Sequence, residues 1–113
     1  METITHKDID DLYVCKKMIK ISHSGNSRNI EVKLTFNALK KVMKTRKCFF
    51  TGVLLNFEEN DANQLTIDRL DNDKGYIDGN IVACSKEFNQ IKGCLTLSQI
   101  ELMYTKLVSR KLL

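Results

Sequence analysis

Hydrophobic residues recur along this chain at helical spacing in some segments and at strand-like, alternating spacing in others. The two kinds of segment together predict an α+β fold. In chain order, they predict a helix over 8–21, a strand or extended arm over 29–34, a helix over 36–45, strands over 65–70 and 81–83, a short helix up to about 93, and a last helix up to about 110. Polar segments without a period, 22–28 and 56–64, are predicted to be loops, and Met1–Lys7 a loose start.

The same periods predict which side chains face the core. The expected buried faces are Ile9, Leu12, Cys15 and Ile19 on the first helix, Phe36, Leu39, Val42 and Met43 on the second, and Ile100, Met103, Tyr104, Leu107 and Val108 on the last. Thr35 is expected to cap the second helix, and Thr96 or Ser98 to open a capping box at the last.

The segment 65–93 concentrates the polar groups that could do chemistry. Two predicted apolar strands flank the ten-residue stretch DNDKGYIDGN, which consists mostly of residues that favour turns. Gly75 and Gly79 within it permit backbone angles that other residues resist, and Gly93 is a plausible helix stop. Thr51 and Gly52 form a second predicted tight corner, inside the apolar stretch 48–55.

Length and composition indicate a single globular domain. The chain has 113 residues, 42% of them hydrophobic and 28% charged, with no apolar run of membrane-spanning length. The net charge of +4 is unevenly distributed, since 1–50 carries eleven basic and five acidic residues, 51–93 four and eight, and 94–113 three and one. An acidic centre between basic flanks suits a metal site presented to a phosphate backbone.

The densest basic patch lies on the outer side of the second predicted helix and just beyond its end. It comprises Lys40, Lys41, Lys44, Arg46 and Lys47. Two interpretations stay open, a contact with the DNA backbone and an ordinary solvated helix face.

The four cysteines, at positions 15, 48, 84 and 94, form no C-x-x-C pair. Buried, reduced thiols in a cytoplasmic protein are therefore expected.

The central motifs resemble the HNH, or ββα-metal, nuclease family in its phage-type branch. The likeness rests on Cys48-Phe49-Phe50-Thr51-Gly52, Leu65-Thr66-Ile67-Asp68-Arg69, Gly75-Tyr76, Gly79-Asn80-Ile81-Val82 and Asn89-Gln90-Ile91-Lys92-Gly93. The resemblance implies a hairpin-plus-helix core over 48–93, with a helical, basic part before it at 1–47 and a helix after it at 94–113. Any one of these motifs alone would be a weak signal.

The resemblance also implies roles for individual residues. Asp68 and Asn89 would hold one divalent cation, Mg²⁺ or Mn²⁺, because both offer hard oxygen ligands. Asn80 matches the family's middle asparagine within the catalytic motif and would tie the hairpin turn by side-chain-to-backbone bonds, while Lys92 would meet a phosphate. No structural zinc is expected, because Thr51, Ser85 and Phe88 stand where zinc-binding members place cysteines.

Arg69 departs from the family, which has its general-base histidine at this position. A guanidinium cannot accept a proton from water, but it can bind phosphate oxygens and offset transition-state charge. A base would have to come from His23, Tyr76, Asp71 or a metal-bound hydroxide. Two of these also have ordinary interpretations: His23 as a surface histidine and Tyr76 as a hairpin anchor.

Two functions follow as hypotheses. The first is a metal-dependent endonuclease that nicks or cuts DNA in a phage or mobile-element setting, inside the host cytoplasm. The second is a protein on the same fold that has lost its base and binds nucleic acid or a host protein without cutting. Taken singly, Asp68 beside Arg69 could be an ordinary charged pair flanking a turn, and Asn89 could be an amide on a helix surface. Taken together at the family's spacing, they favour a site.

Overall fold

The computed structural model describes residues 9–113, and over this range the chain is an α+β fold, as predicted. The elements are α1 (Asp11–Ser27), β1 (Val32–Lys33), α2 (Phe36–Met43), β2 (Leu65–Arg69), β3 (Tyr76–Ile77), β4 (Ile81–Ser85), α3 (Lys86–Lys92) and α4 (Leu97–Ser109). The predicted loose start and the first predicted helical residue, Asp8, lie outside the described residues. No helix in this range is long and apolar enough to cross a membrane.

The predicted hairpin is present as β2 and β4, which pair antiparallel. Leu65 lies opposite Ser85 and Arg69 opposite Ile81. Both faces of the hairpin contain buried residues, because neighbouring positions such as 67 and 68, and 83 and 84, are buried. Ser85 ends β4 and also caps α3, where its hydroxyl accepts a hydrogen bond from the Phe88 N–H. Since no loop separates β4 from α3, the helix must fold back onto the hairpin. It stops at Gly93, whose φ is +52°.

The polar turn of the hairpin contains a strand that the sequence did not predict. β3 pairs in parallel with β1, Val32 opposite Tyr76, and the Tyr76 N–H donates to the Glu31 carbonyl at 2.8 Å. A Cβ on Gly75 would lie 2.2 Å from that carbonyl oxygen. Gly75 is therefore needed for close backbone approach, whereas Gly79, with φ +84°, is needed for its backbone angle.

The first helix is longer than predicted, and its buried face differs. It continues through Ser27, so the predicted loop over 22–28 is wrong. Gly25 is buried inside the helix, where a Cβ would lie 2.4 Å from Val32 Cγ2. Contact with β1 therefore keeps this glycine in a helix that local propensity would end. The buried helical residues are Val14, Ile21 and Gly25, while Leu12, Cys15 and Ile19, three of the four expected, are exposed.

The second helix follows the prediction closely. The Thr35 hydroxyl accepts from the Ala38 N–H, and the helix ends at Met43, two residues before the predicted end. Leu39 and Met43 are fully buried, and Phe36 and Val42 pack against the core. The corner at Gly52 is also present, with φ +77° and a 3.0 Å hydrogen bond from its N–H to the Cys48 carbonyl.

The last helix has its predicted start but not its predicted burial. Thr96 and Gln99 form the capping box, and the helix runs to Ser109. It buries none of its residues, and its packing against the other named elements is slight. The buried face expected of it is therefore wrong: Met103, Tyr104 and Val108 are exposed.

Candidate functional site

Helix α3 lies along β2 and brings four polar side chains into one row. Thr66 and Asp68 are two residues apart on the strand, so their side chains share a face. Asn89 and Lys92 are three apart on the helix, so they too share a face. Asn89 contacts Thr66, and Lys92 contacts Asp68. The two predicted metal ligands therefore belong to one interface between strand and helix.

Asp68 forms a buried ion pair with Lys92. Asp68 Oδ2 lies 3.0 Å from Lys92 Nζ, and the two side chains are 11% and 0% exposed. Apart from this ion pair, neither atom has a hydrogen-bond partner within residues 9–113. The other carboxylate oxygen, Oδ1, accepts from the Arg69 N–H at 2.9 Å. The charges compensate each other, but hydrogen-bonding capacity is left over at both atoms.

Lys92 thus points inward rather than toward solvent. Its ammonium lies 5.5 Å from the centre of the Phe50 ring, which itself stacks on Phe88. An aromatic face and a carboxylate together offset the cost of removing this charge from water. The predicted contact between Lys92 and a phosphate stays a prediction, and it requires a different position of the ammonium group.

Asn89 is held by a short chain of hydrogen bonds. Its Nδ2 donates to Thr66 Oγ1 at 2.9 Å, and the Thr66 hydroxyl donates to the Cys84 carbonyl at 2.8 Å. The amide nitrogen is therefore committed to the protein. Its oxygen is the atom with which a cation would interact.

This donor set fits a hard divalent cation in part. An Asp68 oxygen without a hydrogen bond and the Asn89 amide are oxygen ligands on one interface, the type that Mg²⁺ and Mn²⁺ take. Two protein ligands would leave positions for phosphate and water. Lys92 opposes binding, because its ammonium already lies against the same Asp68 oxygen. Nowhere in 9–113 do three or more His, Cys, Asp or Glu side chains converge as a metal site.

Arg69 serves the turn that follows β2. Its Nη1 donates to the carbonyls of Asn72 at 3.0 Å and Lys74 at 3.1 Å. Its guanidinium lies 5.5 Å from the centre of the Tyr76 ring, and Arg28 donates to the Tyr76 hydroxyl at 2.7 Å. One end of the Arg69 fork is therefore committed to backbone carbonyls, and a phosphate would have to bind the other end.

Asn80 ties the turn together, as the resemblance implied. The residue is buried; its Oδ1 accepts from the Asp71 N–H at 2.9 Å, and its Nδ2 donates to the carbonyls of Asp71 at 3.0 Å and Gly75 at 2.8 Å. Three directed bonds from one side chain hold both ends of the turn. A direct part for Asn80 in catalysis stays a prediction.

The three side chains considered as a base lie in different settings. His23 is exposed and lies on α1, not in a loop. Tyr76 is buried against Arg28 and Arg69, which suits a hairpin anchor. Asp71 Oδ1 accepts from the Asp73 N–H within the turn. None of the three has a contact with Asp68 or Asn89 among the hydrogen bonds and ion pairs of residues 9–113.

The basic patch is mostly exposed. Lys41, Lys44, Arg46 and Lys47 are all exposed on α2 and the segment that follows it. Lys40 is half-buried and pairs with Asp11 at 2.9 Å, so its charge is partly offset within the protein. The arrangement leaves four positive side chains available for a polyanion.

Cys48 and Cys84 form a close pair that the spacing of the cysteines gave no reason to expect. Both are buried, and their Sγ atoms lie 3.9 Å apart. Burial alone would raise the pKa of Cys48, but hydrogen bonds from the Thr51 side chain and from the backbone of Ser85, Thr51 and Phe50 lower it to about 7. The family resemblance bears on Cys48 alone, which stands where zinc-binding members of that family place a cysteine.

The pKa of Cys84 moves in the opposite direction. Burial raises it to about 12, and the neighbouring Cys48 and the Asp68 carboxylate add to the rise. Cys48 is therefore expected to lose its proton at a lower pH than Cys84.

Comparisons with known proteins leave the family open. No family model matches the chain, and no solved structure matches it. The chain is similar to a protein of Enterobacteria phage T4 described as an uncharacterized 29.0 kDa protein in the dda-modA intergenic region. The two are 29% identical over 77 residues, which is 68% of this chain and 31% of the T4 protein. The chain thus matches less than one third of the length of that relative.

Proposed function

We propose that this protein is a metal-dependent endonuclease of the HNH type, which hydrolyses phosphodiester bonds of DNA in a phage setting. The observation that carries the proposal is the buried Asp68 carboxylate, with one oxygen free of hydrogen bonds, on the interface that also holds Asn89. A strand, an antiparallel partner and a helix that follows without a loop supply the ββα frame of that family. Similarity to a phage protein supports the setting.

In this function each side chain has a task set by its surroundings. Asp68 and Asn89 would hold the cation by their oxygens, and a bound divalent cation would supply positive charge to the scissile phosphate and the leaving oxygen. Lys92 compensates the charge of the Asp68 carboxylate. The end of the Arg69 guanidinium that does not bond the backbone donates to a phosphate oxygen. Asn80 stabilises the turn that follows Arg69.

A plasmid-nicking assay in Mg²⁺ or Mn²⁺, with EDTA as the blank, tests the proposal. Asn89→Ala should lower nicking by about 100-fold or more, since it removes a ligand of the charge-stabilising ion. Asp73→Asn is the control, because Asp73 is an exposed carboxylate in the turn between β2 and β3, and this variant should nick like the wild type. Nicking that survives Asn89→Ala, or no nicking by the wild type in any metal, would overturn the endonuclease assignment.

A second function is favoured by one specific observation, the Lys92 ammonium against Asp68. A built-in cation at this carboxylate suits a protein that binds DNA without cutting it. Such a protein would bind duplex DNA equally well in EDTA and in Mg²⁺, with affinity that falls steeply as salt rises.

The exposed basic patch gives this second function its own test. Lys41→Gln with Lys44→Gln should reduce the slope of log affinity against log salt by about 2, because each phosphate contact contributes about 1. Lys106→Gln, on the exposed surface of α4, is the control and should leave the slope unchanged. An unchanged slope in the double variant would remove DNA binding by this patch and point to a protein partner.

A further inference from the structure

The cysteine pair lies between two parts of the fold that are distant in sequence. The segment 47–54 runs beside β4, because the Phe49 N–H donates to the Ala83 carbonyl at 2.9 Å. This contact brings Cys48 next to Cys84, with Sγ atoms 3.9 Å apart and both residues at most 3% exposed. A disulfide needs sulfur atoms about 2.05 Å apart, so closure requires a movement of about 2 Å in total.

We propose that Cys48 and Cys84 form a reversible disulfide when the protein reacts with a peroxide, and that this bond joins the segment before β2 to the end of β4, next to α3. The geometry also separates these two residues from the other two cysteines, since Cys15 and Cys94 are exposed. The assignment does not depend on whether the protein cuts DNA.

The chemistry balances with a peroxide as the oxidant. The Cys48 sulfur attacks one peroxide oxygen, the O–O bond breaks, and a sulfenic acid and one water form. The Cys84 sulfur then attacks the Cys48 sulfur, the S–O bond breaks, and a second water leaves. The two thiols lose two electrons and two hydrogens, and a dithiol reductant restores them.

Two features favour Cys48 as the sulfur that reacts first. The hydrogen bonds that lower its pKa to about 7 give it thiolate character near neutral pH, whereas burial holds Cys84 as a thiol. The second is a surface cleft of about 240 Å³ beside Cys48, lined in part by Thr51 and Ser85, two residues that hydrogen-bond to the Cys48 sulfur. Cys48 itself is 3% exposed, so a small peroxide in this cleft must pass these two residues to reach the sulfur.

The bond would act on the candidate site through α3. Ser85, the residue after Cys84, is the N-cap of that helix, and Asn89 and Lys92 follow within it. A disulfide also closes a long loop between positions 48 and 84, which restricts the unfolded chain. Oxidation should therefore stabilise the protein and fix the position of the helix start.

The test uses the full chain as a Cys15→Ser, Cys94→Ser double variant, because both positions are exposed and the background keeps only the buried pair. After treatment with hydrogen peroxide, we expect a monomer whose intact mass falls by about 2 Da, with no thiol reactive after unfolding. Its Tm should rise by about 10 °C, and dithiothreitol should reverse both changes. Peptide mapping of the wild type should show the same bond and leave Cys15 and Cys94 outside it.

Three results would overturn the inference. They are two thiols still reactive after peroxide, a disulfide-linked dimer of the double variant, and a Cys48 oxidised to sulfinic acid while Cys84 stays a thiol. In the double variant with Cys84→Ala added, Cys48 should stop at sulfenic acid and be trapped by dimedone. Should that variant not fold, the mass and mapping results on the other two proteins still decide the matter.

Discussion

Helices α3 and α4 are adjacent in the chain and differ sharply in burial. The 7-residue α3 buries even a lysine, whereas the 13-residue α4 buries none of its residues. Both have clear caps and both carry apolar side chains at helical spacing. The two helices differ in how they are joined to the rest of the chain. Helix α3 follows β4 without a loop and lies on the hairpin. Helix α4 follows the segment 93–96 and packs only slightly against the other named elements. Apolar spacing makes burial possible, and chain connection decides whether it occurs.

The largest expected effect is from Lys92→Met, because it leaves the Asp68 carboxylate buried without its partner. We expect the free energy of unfolding to fall by about 3–5 kcal/mol, measured by urea denaturation. Glu87→Gln is the control on the same helix: this residue is exposed, and the change should cost less than about 0.5 kcal/mol.

The pair itself can be tested by removing both charges. Asp68→Leu combined with Lys92→Met should recover most of the lost stability, because no uncompensated charge remains. A single variant as stable as Glu87→Gln would mean that Lys92 does not lie against Asp68 in solution. The contrast between α3 and α4 would then disappear.

The next largest expected effect on the free energy of unfolding is from Leu→Ala substitutions, made once in the core and once on α4. Leu39→Ala, at a position that is 0% exposed, should cost about 2–5 kcal/mol. Leu102→Ala, at a position that is 55% exposed, should cost less than about 0.5 kcal/mol. Thermal denaturation of the two variants gives the comparison directly. Equal losses would show that α4 is covered in solution, and a dependence on protein concentration would then identify a second copy as the cover.

The smallest expected effect is a dependence of stability on pH. The pKa of Cys48 in the folded protein is lowered to about 7, below its ordinary value of 9.0, so the folded state releases a proton before the unfolded state does. Stability contributed by Cys48 is therefore fully present above pH 9 and is lost as pH falls through 7.

Variants at two cysteines isolate this contribution. The difference in unfolding free energy between wild type and Cys48→Ser should grow from pH 7 to pH 9, measured by urea denaturation at each pH. Cys94→Ser, exposed in the segment before α4, should follow the wild type. A difference that stays constant across this range would contradict the lowered pKa.

Elements whose signals are local could be predicted from the sequence. Thr35 and Thr96 each bond within three residues of their own position, and Gly93 ends its helix by its own backbone angle. The β2–β4 hairpin also follows from short-range pattern, because a turn of defined chemistry joins its strands. In these places the determining contacts lie within a few residues.

Features set by distant contacts could not be predicted. The segment 22–28 has loop composition, but packing of Gly25 on Val32 keeps it helical. Asp68 and Lys92 are 24 residues apart and Cys48 and Cys84 are 36 apart, and neither distance carries a signal in the sequence. The resemblance assigned Asp68, Asn89 and Lys92 to one site, and the structure has all three on the interface between β2 and α3. The resemblance could not say that the lysine would turn inward onto the aspartate.

That inward turn has a consequence for how related chains can diverge. Loss of either charge alone passes through an unstable intermediate, whereas exchange of both for apolar residues leaves a stable protein. Single substitutions at positions 68 or 92 are therefore expected to be selected against, because they destabilise the protein. Relatives that keep this hairpin and helix should retain both charges or neither.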